Sequence, residues 1–167
     1  MNEHLRIGLD IDVHRLEPGR PCTLGGVRID GAEVGPVAHS DGDVVLHAAC
    51  DAVLGAMGED DLGTLFPDSD PANAGRNSAD FCRIALEKVR KKEFTVWSMD
   101  IVVETNSPRL QAHRKAIRDR VAGLFGTAND RVNVKGKSGE KVDAIGRGEA
   151  IRATVVALLA PQERSWS

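Results

Sequence analysis

An α+β fold is predicted, built on a mixed, mainly four-stranded sheet covered by helices. Three observations predict it. Residues 5–13 alternate apolar and polar with period two, the mark of a half-buried strand. Residues 41–57 and 78–91 repeat their apolar residues with helical spacing. Residues 150–160 are apolar on both faces, as a central strand would be.

In the first strand Leu5, Ile7, Leu9, Ile11 and Val13 share one face, which the pattern assigns to the core. Arg6, Gly8, Asp10, Asp12 and His14 share the other. Short strands are expected around Cys22–Leu24 and Val27–Ile29. In the first helix Val45, Ala48, Ala49, Ala52, Val53 and Ala56 make the apolar face, with Asp41 as the predicted N-cap. Residues 58–77, rich in Gly, Asp, Pro and Asn, read as a long loop, and loops of that length in compact domains are commonly functional. The second helix turns Phe81, Ile84, Ala85 and Val89 inward. Thr95–Glu104 forms a strand with Trp97, Met99, Ile101 and Val103 on one face. Pro108 is expected to open a third helix that ends near Gly126. Residues 131–137 supply a further strand.

The chain has 167 residues, 41% hydrophobic and 28% charged, which suits one domain (1–167, ordered core about 5–160) with its own core. A net charge of −3 argues against a nucleic-acid partner, since such binding needs a clustered basic face. Arg114, Lys115, Arg118 and Arg120 enrich one helix but read as a solvated face. No apolar run reaches the ~18 residues of a membrane span. The N-terminus has no signal or transit character. Three cysteines without a CxxC pair read as free thiols. A cytoplasmic protein is expected.

Two segments concentrate metal-ligand residues. Asp12 and His14 lie on one face of the first strand, about 6.6 Å apart along it. On the first helix Asp43, His47 and Asp51 recur every four residues as a stripe. Asp12, His14 and His47 together have the composition of a catalytic Zn²⁺ site, in which three protein ligands leave a fourth position for substrate.

Asp12-Val13-His14, Leu24-Gly25-Gly26-Val27 and the run His39-Ser40-Asp41-Gly42-Asp43 through His47 resemble the signature of the 2-C-methyl-D-erythritol 2,4-cyclodiphosphate synthases. Leu62-Gly63, Leu65 through Pro71, Val132 through Lys135, Glu140-Lys141 and Gly146 through Glu149 extend the resemblance, in order, across nearly the whole chain. It implies cyclisation of 4-diphosphocytidyl-2-C-methyl-D-erythritol 2-phosphate, with release of CMP, in non-mevalonate isoprenoid synthesis. It implies zinc on Asp12, His14 and His47, and a second ion, Mg²⁺ or Mn²⁺, held by Glu140.

By the same resemblance His39 and Ser40 sit against the 2-phosphate, and Asp43 is a candidate partner for the ring of His47. Asp51, Asp61, Leu62, Gly63, Phe66, Asp68 and Asp70 would hold the sugar alcohol. Thr105, Pro108, Arg109, Leu110 and Gly136 would form the cytidine pocket. A homotrimer is implied, with active sites between subunits. Arg147 and Glu149 would lie near the three-fold axis, where members of the family hold an isoprenoid diphosphate.

The sequence also departs from the family pattern. Asp10 stands where glycine is usual, and reads as a group that supports the zinc ligands or, preferably, as a solvated acid. Lys137-Ser138-Gly139 replaces a run of threonines, so that Lys137 and Ser138 would meet the diphosphate. Asp143-Ala144-Ile145 replaces a run containing an aromatic. Two other readings use the same ligands: a zinc hydrolase of phosphate esters, and a non-catalytic module with structural zinc. The second fits poorly, because structural sites usually close with four protein ligands.

Overall fold

The computed structural model describes residues 4–67, 69–73 and 75–162. Its strands are β1 (Arg6–Pro18), β2 (Thr23–Leu24), β3 (Val27–Arg28), β4 (Val34–Pro36), β5 (Phe94–Glu104), β6 (Val132–Lys137) and β7 (Ala150–Pro161). Its helices are α1 (Val44–Ala56), the single turn α2 (Leu62–Leu65), α3 (Ser78–Lys91) and α4 (Arg114–Phe125). The main sheet runs β4-β1-β7-β5-β6, and β2 and β3 make a separate hairpin. Among the described residues only the β5–β6 pair is parallel.

The sheet therefore has five strands rather than four. The extra one, β4, has the sequence Val-Gly-Pro, too short and too poor in β-formers to announce itself. The last strand is central as expected, but its burial alternates. Ile151, Ala153, Val155, Ala157 and Leu159 are fully buried beneath the helices, while Val156 is exposed on the opposite face.

The same alternation reverses the expectation for β1. Leu5, Ile7, Leu9, Ile11 and Val13 are 56–70% exposed. The face carrying Gly8, Asp10, Asp12 and His14 is the one turned towards α1. Gly8 explains the choice: a Cβ there would lie 1.8 Å from the Ala52 carbonyl oxygen, so the helix backbone rests directly on the strand. Helices cover one face of the sheet, and the apolar stripe of β1 lies on the other. In register beside it are Leu158, opposite Ile7, and Val156, opposite Leu9.

Three further boundaries differ from the sequence pattern. α1 starts at Val44 with Asp43, not Asp41, as its N-cap. A bulge between Val96 and Ser98 turns Trp97 outward, where the Arg131 guanidinium stacks 3.6 Å from its ring centroid. Pro108 follows a cis peptide bond and does not open α4, which begins six residues later at Arg114 and ends on the left-handed Gly126.

α1 is buried around most of its circumference: Val44, Val45, Leu46, Ala48, Ala49, Ala52 and Val53 have no exposed surface. Each large aliphatic side chain so buried contributes roughly 1.5–3 kcal/mol. The helix is thus fixed against β1 and β7, and what it carries on its one open edge is fixed with it.

Gly8→Ala is expected to lower stability by about 3 kcal/mol or more, because the added methyl meets backbone rather than a movable side chain. A urea midpoint within experimental error of the unsubstituted protein would contradict this packing.

Candidate active site and metal centre

The open edge of α1 carries His47 and Asp51. His47 faces β1, where Asp12 and His14 point inward. The His47 Nδ1 lies 3.1 Å from Asp12 Oδ2, and His14 Nε2 lies 3.2 Å from the same oxygen. The two ring nitrogens are 3.4 Å apart. One ligand atom from each residue lies within 4.8 Å of the others, and among the described residues this is the group able to hold a metal ion. A carboxylate and two imidazoles suit a borderline divalent cation. Side-chain exposures of 16–23% leave an open side for a further ligand.

Electrostatics match the geometry. Burial alone would raise the Asp12 carboxyl, but hydrogen bonds and charge from His14 and His47 hold it well below the ordinary carboxylate range. Burial opposes charge on His47, yet its bond to Asp12 and the charges of Asp12, Asp43 and Asp41 raise it above an ordinary histidine. The Asp51 carboxyl is pushed up to about 6, first by burial and then by Asp10 and Asp61.

The group opens into a cleft of about 450 Å³. His39, Ser40, Asp51, Leu62, Gly63 and Phe66 line it, as does Asp10. Asp10 is thus part of the wall, not a freely solvated acid, and burial raises its carboxyl. Asp51 Oδ1 accepts the Leu62 N–H at 2.8 Å, which ties the loop to α1. Asp61 caps the short α2 by accepting from Thr64 N–H and does not line the cleft. Asp70 lies in the turn that follows, also away from the lining. Asp68 falls outside the described residues.

A second cleft, of about 360 Å³, gathers Thr105, Arg109, Leu110, Gly136, Lys137 and Ser138. Pro108 is buried beside it. Glu140 stands exposed in a 3-10 turn with φ of 48°, bonded by Ser138 Oγ, and belongs to neither lining. Within one chain, then, His39 and Ser40 open on one cleft, and Lys137 and Ser138 on another. Arg147 and Glu149 form an exposed two-bond ion pair at 2.9 and 3.2 Å.

The expectation for Asp43 is corrected. It is fully buried, and its carboxylate accepts four backbone N–H groups, from Gly25, Gly26, Val45 and Leu46, at 2.6–3.1 Å. It ties the hairpin to the start of α1, and its bonds run to backbone amides rather than to the His47 ring. Period-four spacing placed Asp43 on the stripe, but the cap position turns it inward.

The partners of the ring are Ser40 Oγ, 3.1 Å from Nε2, and Ser78 Oγ, 2.9 Å from it. Ser78 also donates its hydroxyl to Asp41. Sequence reasoning missed Ser78, whose one signal is its place at the first turn of a helix. It also missed Arg76, whose guanidinium lies 5.2 Å from the Phe66 ring centroid and 6.0 Å from that of Phe81.

The fold and this site define an enzyme class with a group able to hold a metal ion at the wall of a cleft. Residues 5–160 match the YgbB family, and the chain belongs to it. Two relatives named 2-C-methyl-D-erythritol 2,4-cyclodiphosphate synthase are similar over almost their full length. That of Aromatoleum aromaticum is 46% identical over 95% of this chain and 96% of its own. That of Rhodopirellula baltica is 42% identical over 92% of each. Among solved structures, IspF of Plasmodium falciparum in a CDP complex superposes with a TM-score of 0.85 at 34% identity, over 98% of this chain and 100% of that one. No helix among the described residues is long and apolar enough to cross a membrane.

Burial pushes the Asp43 carboxyl up to about 6, against the N–H bonds of Gly26, Gly25 and Leu46. An acid raised in the folded state contributes stability that is fully present below its unfolded pKa and lost as pH rises through the folded one. Relative to Asp43→Asn, the protein should therefore lose about 2–3 kcal/mol between about pH 4 and pH 6, and level off above. Denaturant titrations across that range check it; a difference of opposite sign would mean that the four N–H bonds outweigh burial.

Proposed function

We propose that this protein converts 4-diphosphocytidyl-2-C-methyl-D-erythritol 2-phosphate to 2-C-methyl-D-erythritol 2,4-cyclodiphosphate and CMP, as a phosphorus–oxygen lyase of non-mevalonate isoprenoid synthesis. The observation that carries this reading is the convergence of Asp12, His14 and His47 at the wall of a cleft shared with His39 and Ser40, in a chain of this family.

In the reaction an oxygen of the 2-phosphate attacks the β-phosphorus. A new P–O bond forms, the bond from the β-phosphorus to CMP breaks, and its electron pair leaves on the CMP phosphate. Two anions must be brought together, so the burden on the protein is charge and alignment. Zinc held by Asp12, His14 and His47, with Mg²⁺ or Mn²⁺ at Glu140, would supply positive charge at the diphosphate. His39 and Ser40 orient the 2-phosphate from the cleft wall. Asp51 and the Leu62-Gly63 turn hold the alcohol hydroxyls, and Phe66 closes the apolar side. Asp61 and Asp70 act through the shape of that loop.

Thr105, Pro108, Arg109, Leu110 and Gly136 form the cytidine pocket, and Lys137 and Ser138 place a cation and a hydroxyl at its phosphate end. The two clefts of one chain gather different halves of this machinery, which supports a homotrimer with each active site built from two subunits. The exposed stripe from Leu5 to Val13 supports it too: five large apolar residues in a row on a sheet face are the kind of patch that another subunit covers. Arg147 and Glu149 would then stand near the axis, the position for an isoprenoid diphosphate. The buried thiols of Cys22, Cys50 and Cys82 are free, including Cys50 and Cys82 with sulfurs 3.5 Å apart, in keeping with a reducing cytoplasm.

Incubation of the substrate with protein, zinc and magnesium should yield cyclic diphosphate and CMP in equal amounts by phosphorus NMR, and His47→Ala should abolish both. Free phosphate in place of the cyclic product would favour the hydrolase reading, and a well-folded, zinc-loaded protein with no turnover would favour the structural-zinc one. Leu9→Arg should shift the sedimenting species from trimer to monomer and remove activity; a trimer unchanged by it would refute the role given to the stripe.

A further inference from the structure

We infer that Ser78 and Asp41 are positioning residues for His47: the Asp41 carboxylate orients the Ser78 hydroxyl, which in turn holds the ring of His47 with Nδ1 towards Asp12 and His14. The inference rests on the metal-centre reading above and deepens it.

Ser78, the first residue of α3, has no exposed surface. Its N–H donates to Asp41 Oδ2 at 2.9 Å, and its hydroxyl donates to Asp41 Oδ1. A serine hydroxyl has one hydrogen, and here the carboxylate takes it. Towards the His47 Nε2, 2.9 Å away, Ser78 Oγ can then only accept, so Nε2 carries the hydrogen. With its hydrogen held on Nε2, the ring can give up the one on Nδ1 and offer that lone pair to a metal ion, at the atom that lies 3.1 Å from Asp12 and 3.4 Å from His14. Ser40 Oγ lies 3.1 Å from the same Nε2 and accepts the Gly42 N–H, and its second lone pair can share the Nε2 hydrogen.

Histidines that bind metals are commonly oriented by a carboxylate on the far nitrogen. Here one buried hydroxyl stands between carboxylate and ring. The arrangement also joins two parts of the site. The His39 carbonyl accepts from Gly75 N–H at 2.8 Å, and Asp41 N–H donates to the Arg76 carbonyl at 3.3 Å. The segment that bears His39 and Ser40 is thereby laced to the end of the 58–77 loop where it enters α3, and the ring orientation depends on that seam.

The test measures zinc affinity by competition with a chelator, and follows the His47 Nε2–H proton in zinc-loaded protein labelled with ¹⁵N-histidine. In the unsubstituted protein the proton should be visible and slow to exchange with water. Ser78→Ala should weaken zinc binding about 10–100-fold and broaden the proton by exchange. Asp41→Asn keeps an acceptor but not its charge, and should give a smaller loss in the same direction. If Ser78→Ala fails to fold, Asp41→Asn and the unsubstituted protein still decide: a rapidly exchanging His47 proton in the latter overturns the inference. So does zinc affinity and a proton signal unchanged in both variants. His47→Ala that binds zinc as tightly as the unsubstituted protein would overturn the metal centre itself.

Discussion

Everything at the site depends on how closely α1 lies on β1. Of the three side chains able to hold a metal ion, two come from the strand and one from the helix, and their atoms lie within 4.8 Å of one another. Gly8 permits the approach, since at that point the helix backbone occupies the space a side chain would fill. Small residues at Ala48, Ala49 and Ala52 keep the facing surface of the helix low. Close packing of this kind admits little adjustment, so the distance from His47 to Asp12 is set by the core rather than by the site.

The His39–Asp43 segment divides its work between two acids. Asp43 turns inward, caps α1 and gathers the amides of the β2–β3 hairpin. Asp41 turns the other way and receives the start of α3. Between them the left-handed Gly42 reverses the chain, with φ of 73° and Pro36 within 2.9 Å of where a Cβ would be. The helix bearing His47 and the helix bearing Ser78 are thus registered against one short loop, and the ring is held between the two.

Much of this was legible in the sequence. The alternation of β1 and the central place of β7 follow from their pattern, and the grouping of Asp12, His14 and His47 from their ligand types together with the family resemblance. What spacing could not supply was which side of a two-sided strand faces the helices. Leu5 to Val13 is the more apolar side and by hydrophobicity alone belongs in a core; Gly8, Asp12 and His14 are on the other, and helix packing chose theirs. Ser78 lay outside reach for a different reason. It is 31 residues from His47, and its role depends on where a loop returns. Trp97 was placed on the wrong face because one bulged residue inverts the alternation around it. Pro108 is a good first residue for a helix, but the turn that follows it delays α4 by six positions.

The two-sided character of β1 carries a consequence for what changes the strand can survive. Ten of its residues pair antiparallel with β7, from Arg6 opposite Leu159 to Arg15 opposite Ala150. A slip of one residue would send Asp12 and His14 outward and drive leucine and isoleucine against the backbone of α1. Substitutions on the outer face leave this register intact, whereas one inserted or deleted residue before Asp12 breaks it. The register of the strand therefore depends on its residue count as strictly as the site depends on the identity of the residues that face α1.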